Sequence, residues 1–312
     1  MTERARRTGF AAALSTWLSP VVAAGLLSSA AALTPLAPAR ALVPYVYVPR
    51  EQELEGAGLG IAQAAARLLR MGQAGDAARL AALTVQLLPA DPRGWLLLAE
   101  AQLRSNQNKD AAVSLTRAKE LDPRNAGIWF AEGSLALRNG NPKEAIGLLE
   151  QGIKLDNRNA GAHFDLGNAQ LLSGNRAAAL NQYERAAALR PDFWEAINNQ
   201  ALLLFEQGDR PAAIHRLRRA LKIKPDASEP MLALAAGLFA QGPQQRDEAI
   251  RLASEALNGE PNYVLESYQK EQLWGPKLRA ATQQLLAQQE LKPVVDRANA
   301  NASTEGQTEE DL

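Results

Sequence analysis

The 312-residue chain has no cysteine. That excludes disulfides, thiolate metal sites, a cysteine nucleophile and a lipid-modified N-terminal cysteine. There are only two histidines, His163 and His215. Each stands alone, which makes a poor metal set and a poor general base. Formal net charge is zero, so no global field draws the chain to nucleic acid. Aromatics make up 5% of the chain, which suits closely packed helices better than a sheet core. No phosphate-binding glycine loop, dinucleotide-binding turn, serine nucleophile elbow or zinc spacing occurs. The scattered Asp-Pro pairs read as helix junctions. These absences argue against an enzyme, a cofactor site, a metal site or a small-molecule substrate.

What is present is a repeat. Ala65, Ala99, Gly133, Gly167, Ala201 and Ala235 recur at a spacing of 34. Ala77, Ala111, Ala145, Ala179 and Ala213 form a second ladder, which Ala249 continues after a two-residue slip. Thr84, Ala118, Gly152, Ala186, Ala220 and Ala256 form a third. Such self-similarity marks stacked supersecondary units. Within the unit 92–125, Trp95, Leu98, Ala99 and Leu103 sit at helical spacing, and Asn106 and Asn108 interrupt. Ala111, Leu115 and Ala118 start a second apolar stripe that Pro123 closes. That describes two amphipathic helices joined by a tight turn. The turn position holds Gly72, Asn106, Gly140, Gly174, Gly208 and Gly242, residues that tolerate a left-handed helix end. The stop position holds Pro89, Pro123, Asn157, Pro191, Pro225 and Pro261. Small residues on the ladders let two helix backbones approach.

Unit by unit, these residues resemble the tetratricopeptide repeat family. Ile61, Trp95, Trp129, His163, Ile197 and Met231 fill the bulky slot early in the first helix. The family's usual mid-helix aromatic is replaced by Leu68, Gln102, Ala136, Gln170, Leu204 and Leu238. The resemblance implies an all-α fold: a right-handed α-solenoid of six helix-turn-helix repeats at 58–91, 92–125, 126–159, 160–193, 194–227 and 228–263. Residues 264–291, with Leu278, Leu285 and Leu286 on one stripe, are expected to cap its end. Residues 292–312 read as a disordered acidic tail.

The N-terminus reads as an address. Arg4, Arg6 and Arg7 precede an uncharged stretch from Thr8 to Ala39, and the small-residue site Ala39-Arg40-Ala41 follows. This is the order of a secretory signal cleaved after Ala41. Retention of residues 8–33 as a membrane anchor and a plain alanine-rich tail are the alternatives. Residues 42–57 are expected to be an extended linker, because Pro44 and Pro49 forbid a helix across LVPYVYVP. That segment has the character of a groove ligand.

The resemblance also implies a concave groove lined by the first helices, holding peptides or helices. The positions that would face it are apolar: Leu69, Leu96, Leu103, Phe130, Leu137, Phe164, Leu171, Phe205, Leu232 and Phe239. Ser134, Asn168, Asn198, Arg104 and Arg138 interrupt the row. The lysine and asparagine set with which family members clamp a carboxylate terminus is missing. Burying one leucine or phenylalanine is worth about 1.5–3 kcal/mol, so four contacts suffice for micromolar binding. Glutamates in place of Phe130, Phe164 and Phe205 are expected to abolish capture with helicity intact. A basic run, IHRLRRALKIK, reads as a solvated outer face because its charges spread around the helix. His163 reads as a packing residue.

The expected function is a non-catalytic scaffold that binds a protein or peptide partner, exported or membrane-associated, without nucleic acid. Three roles compete: assembly of a membrane complex, as in photosystem biogenesis; an adaptor in envelope or secretion machinery; and a self-associating scaffold.

Overall fold

The computed structural model describes residues 50–302. The expectations for 1–41, including cleavage at Ala39 and Ala41, and for the groove-like LVPYVYVP segment, lie outside the described residues. Within them the chain is all helix, with no strand. The helices pair as α1 (Glu51–Arg70) with α2 (Ala74–Leu87), α3 (Pro92–Arg104) with α4 (Asn108–Leu121), and α5 (Ala126–Arg138) with α6 (Pro142–Leu155). Next come α7 (Ala160–Leu172) with α8 (Arg176–Leu189), α9 (Trp194–Gln207) with α10 (Arg210–Ile223), and α11 (Ser228–Phe239) with α12 (Arg246–Gly259). Each helix packs on its partner and on the next in line, which makes an α-solenoid.

Local chemistry sets these boundaries. All six second helices end two residues before the stop position. A proline there disfavours helical geometry in the residue before it. Asp91, Asn125 and Asn159 then cap α3, α5 and α7 by accepting backbone N–H bonds from Arg93, Gly127 and Ala162. At the turns, Gly72, Asn106, Gly140, Gly174, Gly208 and Gly242 all have positive φ. In the first five, the N–H of the following residue bonds back to the carbonyl five residues earlier, as in Gln107 to Gln102 at 2.8 Å and Asp209 to Leu204 at 3.0 Å. This closure needs the left-handed residue between. The two-residue slip before Ala249 is a 3-10 turn, Pro243–Gln245.

Every ladder residue is buried, most of them completely. The steric reason is plainest at Gly152, where an added Cβ would stand 2.5 Å from the Phe130 ring.

Two expectations need correction. The first helix begins at Glu51, so residues 51–57 are helical and not an extended linker. No proline follows Pro49 before Pro89, and Glu53 closes a capping box on the Arg50 backbone N–H at 3.0 Å. At the other end the acidic tail does not start at 292. Helix α15 (Lys292–Asn301) follows α13 (Glu266–Glu271) and α14 (Pro276–Leu286). It buries Val294 and Ala298 against α12 and the 3-10 turn Pro261–Val264.

The closing segment also covers more than the end of the stack. Helix α14 lies across α11 and touches α9, two first helices. Trp274, Leu278, Leu285 and Leu286 join one core with Leu202, Phe205 and Leu232. Full burial of such side chains is worth about 1.5–3 kcal/mol each, so the segment is a fixed part of the fold.

Candidate functional site

The first helices of the second, third and fourth repeats share an open groove of about 610 Å³. Its floor is Leu96 and Leu103 from α3 and Phe130 and Leu137 from α5. Phe130 is 9% exposed, its ring held against Gly152 of the second helix behind it. Polar groups rim the floor. Arg104 pairs with Glu100 at 2.7 Å, and Arg138 donates to the Asn106 side chain at 3.2 Å. The Ser134 hydroxyl donates to the Asp165 carboxylate across the α5–α7 interface. Burial pushes the Asp165 carboxyl up, against the opposing pull of Ser134 and of the Arg138 charge. The same link recurs one repeat on, where Asn199 donates to Asn168 at 3.3 Å. Both pairs are 31 residues apart, so they tie successive first helices in the same way.

A second cavity, about 530 Å³, lies on the same first-helix face over α7, α9 and the start of α11. Helix α13 and the 3-10 turn before it form its far wall, contributing Tyr263, Tyr268 and Glu271. Glu229 accepts the Trp274 indole N–H at 2.9 Å. Burial raises the Glu229 carboxyl to about 7, with hydrogen bonds from Trp274 and Asn198 opposing and the Glu195 charge adding.

The predicted groove residues therefore divide. Leu96, Leu103, Phe130, Ser134 and Leu137 come together in the open groove. Phe164 and Asn168 line the second cavity. Leu171 borders a smaller recess beside Trp274 and Pro276. The others are not available. Leu69 is packed between Ala77, Ala78 and Ala101. Asn198 and Leu232 are fully buried and Phe205 is 2% exposed. Phe239 packs on the core that α14 completes. An inward-facing position reads the same in sequence whether or not a distant segment covers it. The triple glutamate substitution thus fails as a test, since a charge at Phe205 would be buried without a partner.

Asp165, Glu100, Glu195, Glu271 and Trp274 carry no repeat signature that marks them as lining residues. His163 is a packing residue, with Nε2 3.2 Å from the Asn157 carbonyl. Trp95 and Trp129 donate to the carbonyls of Pro89 and Pro123 from the same slot. The basic run is largely engaged: Arg218 pairs with Glu248, Arg219 donates to the Pro191 carbonyl and Arg216 to Gln200. Among the described residues no acidic, histidine or cysteine group is placed to hold a metal. None of their helices is long and apolar enough to cross a membrane.

Residues 130–192 and 173–228 match the model of the tetratricopeptide repeat family. No curated protein matches the sequence. Among solved structures, the Cut9–Hcn1 hetero-tetramer of APC/C is similar, with 16% identity, 77% of this chain and 42% of that one covered, and a TM-score of 0.61. PilF of Pseudomonas aeruginosa is 18% identical over 70% of this chain and 98% of its own, at 0.59. TTC0263, a protein of Thermus thermophilus, is 21% identical over 58% of this chain and 99% of its own, at 0.52. Paired helices in register with an open first-helix face define a helical-repeat scaffold. Residues 130–228 match the tetratricopeptide repeat family, and the solved structures share the fold of the described residues.

Proposed function

We propose that this protein is a non-catalytic scaffold that captures an apolar segment of a partner protein in the groove of its second to fourth repeats. The observation that carries the reading is the open groove on the first-helix face, where half-buried Leu96 and Leu137 keep apolar surface beside the buried Leu103 and Phe130. Leu96 and Leu137 are the two floor side chains with apolar surface left for a ligand to cover, and full burial of such a side chain is worth at most about 1.5–3 kcal/mol. Paired arginine and glutamate at the rim favour a segment without strong net charge.

The order of basic, apolar and small residues in 1–41 supports an exported or membrane-held scaffold. On this reading the partner is met in an extracytoplasmic compartment or at a membrane, where help in assembling a membrane complex fits. N-terminal sequencing of the protein from its native cell is expected to give a start at Leu42.

The groove is tested by selecting binders from a displayed random peptide library on the full chain. Selected peptides are expected to share spaced apolar residues. The double substitution Leu96→Glu and Leu137→Glu is expected to weaken them at least about tenfold, the cost of losing about 1.4 kcal/mol. Both leucines are half-buried and pack on buried neighbours, so a thermal melt is run beside the binding assay to confirm that the variant is folded at the assay temperature. Undiminished binding by the double variant would remove the groove from consideration.

A further inference from the structure

The second cavity has a charge pattern unlike the first. Glu195, Glu229, Glu260 and Glu271 all line it, and none pairs with a basic side chain among the described residues. Lys224, the lysine in its wall, is held by Asp226 at 2.8 Å. Glu229 is served by the neutral donors Trp274 and Asn198, and Glu260 by the Asn262 backbone N–H at 3.2 Å. Neutral donors supply no countercharge, and burial raises the Glu229 carboxyl to about 7. The carboxylates share one field, since Glu195 repels the Glu229 charge and both Glu229 and Glu260 act on Tyr263.

Two further observations point the same way. Phe164, Trp194, Tyr263 and Tyr268 supply aromatic surface around the cavity, and ring faces attract cations. Asn198 is fully buried, hydrogen-bonds to both Glu229 and Asn199 in the cavity wall, and keeps its Oδ1 without a partner. Four carboxyl groups against one lysine give the wall a negative formal charge. No three acidic groups stand close enough to hold a metal ion among the described residues, which favours an extended organic cation over a bare divalent one.

We infer that this cavity receives an arginine or lysine side chain of the partner segment whose apolar residues occupy the neighbouring groove. The inference rests on the groove reading for its occupant. Phe164 lines the acidic cavity and Asp165, the next residue of α7, lines the apolar groove. The two openings therefore lie on neighbouring sides of one helix, α7, within reach of a single extended segment. The volume of about 530 Å³ lies within the ordinary range of small-ligand sites. The partner motif is then a few apolar residues adjoining a base.

The test uses Nα-acetyl-arginine methylamide and its neutral isostere, the citrulline derivative, on the full chain. Binding is read by NMR shifts, with the Trp194 indole N–H as the reporter in the cavity wall. The arginine probe is expected to bind about tenfold tighter, the worth of one charge-assisted hydrogen bond. That preference should fade with added salt and vanish in the double variant Glu195→Gln, Glu271→Gln. Glu271 is exposed and Glu195 half-exposed, so the variant should melt as the parent does. Equal binding of the two probes, no binding of either, or a preference that survives the double variant would overturn the inference. A neutral apolar peptide reads the groove separately, and its affinity should not respond to the double variant. Its failure to bind, with the arginine preference intact, would sink the groove reading and leave the cation site standing.

Discussion

The Glu206 carboxylate accepts the backbone N–H of Leu278 at 2.9 Å and that of Lys277 at 3.3 Å, so a side chain from the fifth repeat caps the N-terminus of α14. The Lys277 ammonium closes the contact on the Glu206 carbonyl at 2.7 Å. A carboxylate here satisfies orphan donors and meets the positive end of the helix. Glu206→Ala is expected to cost about 1–2 kcal/mol in urea unfolding. Hydrogen exchange should quicken in α14 and stay unchanged in α1 to α4. Uniform protection across α14 in the variant would show the cap to be incidental.

Glu229 gives a pH dependence with a definite sign. Its carboxyl is raised from 4.5 to about 7, so between these values the folded state holds a proton that the unfolded state has lost. Its contribution to stability is therefore greatest at low pH and falls as pH rises through that window, by about 3 kcal/mol in all. Asp165 is shifted in the same direction. Glu229→Gln keeps an acceptor for Trp274 and removes the titration. The variant should show a flatter stability profile from pH 4.5 to 7 and exceed the parent above pH 7. Parallel profiles would refute the assignment.

Two glycines of α6 should respond oppositely to alanine. Gly147 has nothing within 4 Å of a new Cβ and is exposed. Gly147→Ala is expected to stabilise by about 0.5–1 kcal/mol through helix propensity. At Gly152 the same methyl meets the Phe130 ring at 2.5 Å and Trp129 at 3.1 Å. Gly152→Ala should destabilise by about 1–3 kcal/mol and shift Phe130 in the groove floor. Thermal unfolding of both variants decides it.

The turn at Gly208, φ 93, has open space around it, so alanine there carries only the backbone penalty. Gly208→Ala is expected to cost about 1–2 kcal/mol. No loss in melting temperature would mean that the turn can relax without the left-handed residue.

The repeats are legible in the sequence because each local cause recurs in register. Ala77 and its equivalents mark a close helix crossing, Gly208 and its equivalents a left-handed turn, and Pro191 and its equivalents a stop. What lies beyond reach is non-local. Leu232 and Leu96 occupy equivalent positions, yet α14 covers one and solvent meets the other. The contacts responsible, Glu206 with Leu278 and Glu229 with Trp274, join residues 72 and 45 positions apart. No periodicity records such a pairing. Helix α15 escapes a reading by pattern because its polar composition hides two small buried anchors, Val294 and Ala298.

Helix α14 gives the stack one closed end. A whole 34-residue unit inserted between the third and fourth pairs would lengthen the recess available to a guest. The same unit placed after α12 would have to displace α14 and α15 first. Growth of this architecture is thus permitted in the middle and blocked at the finish, and longer relatives should carry their extra units upstream of the lid.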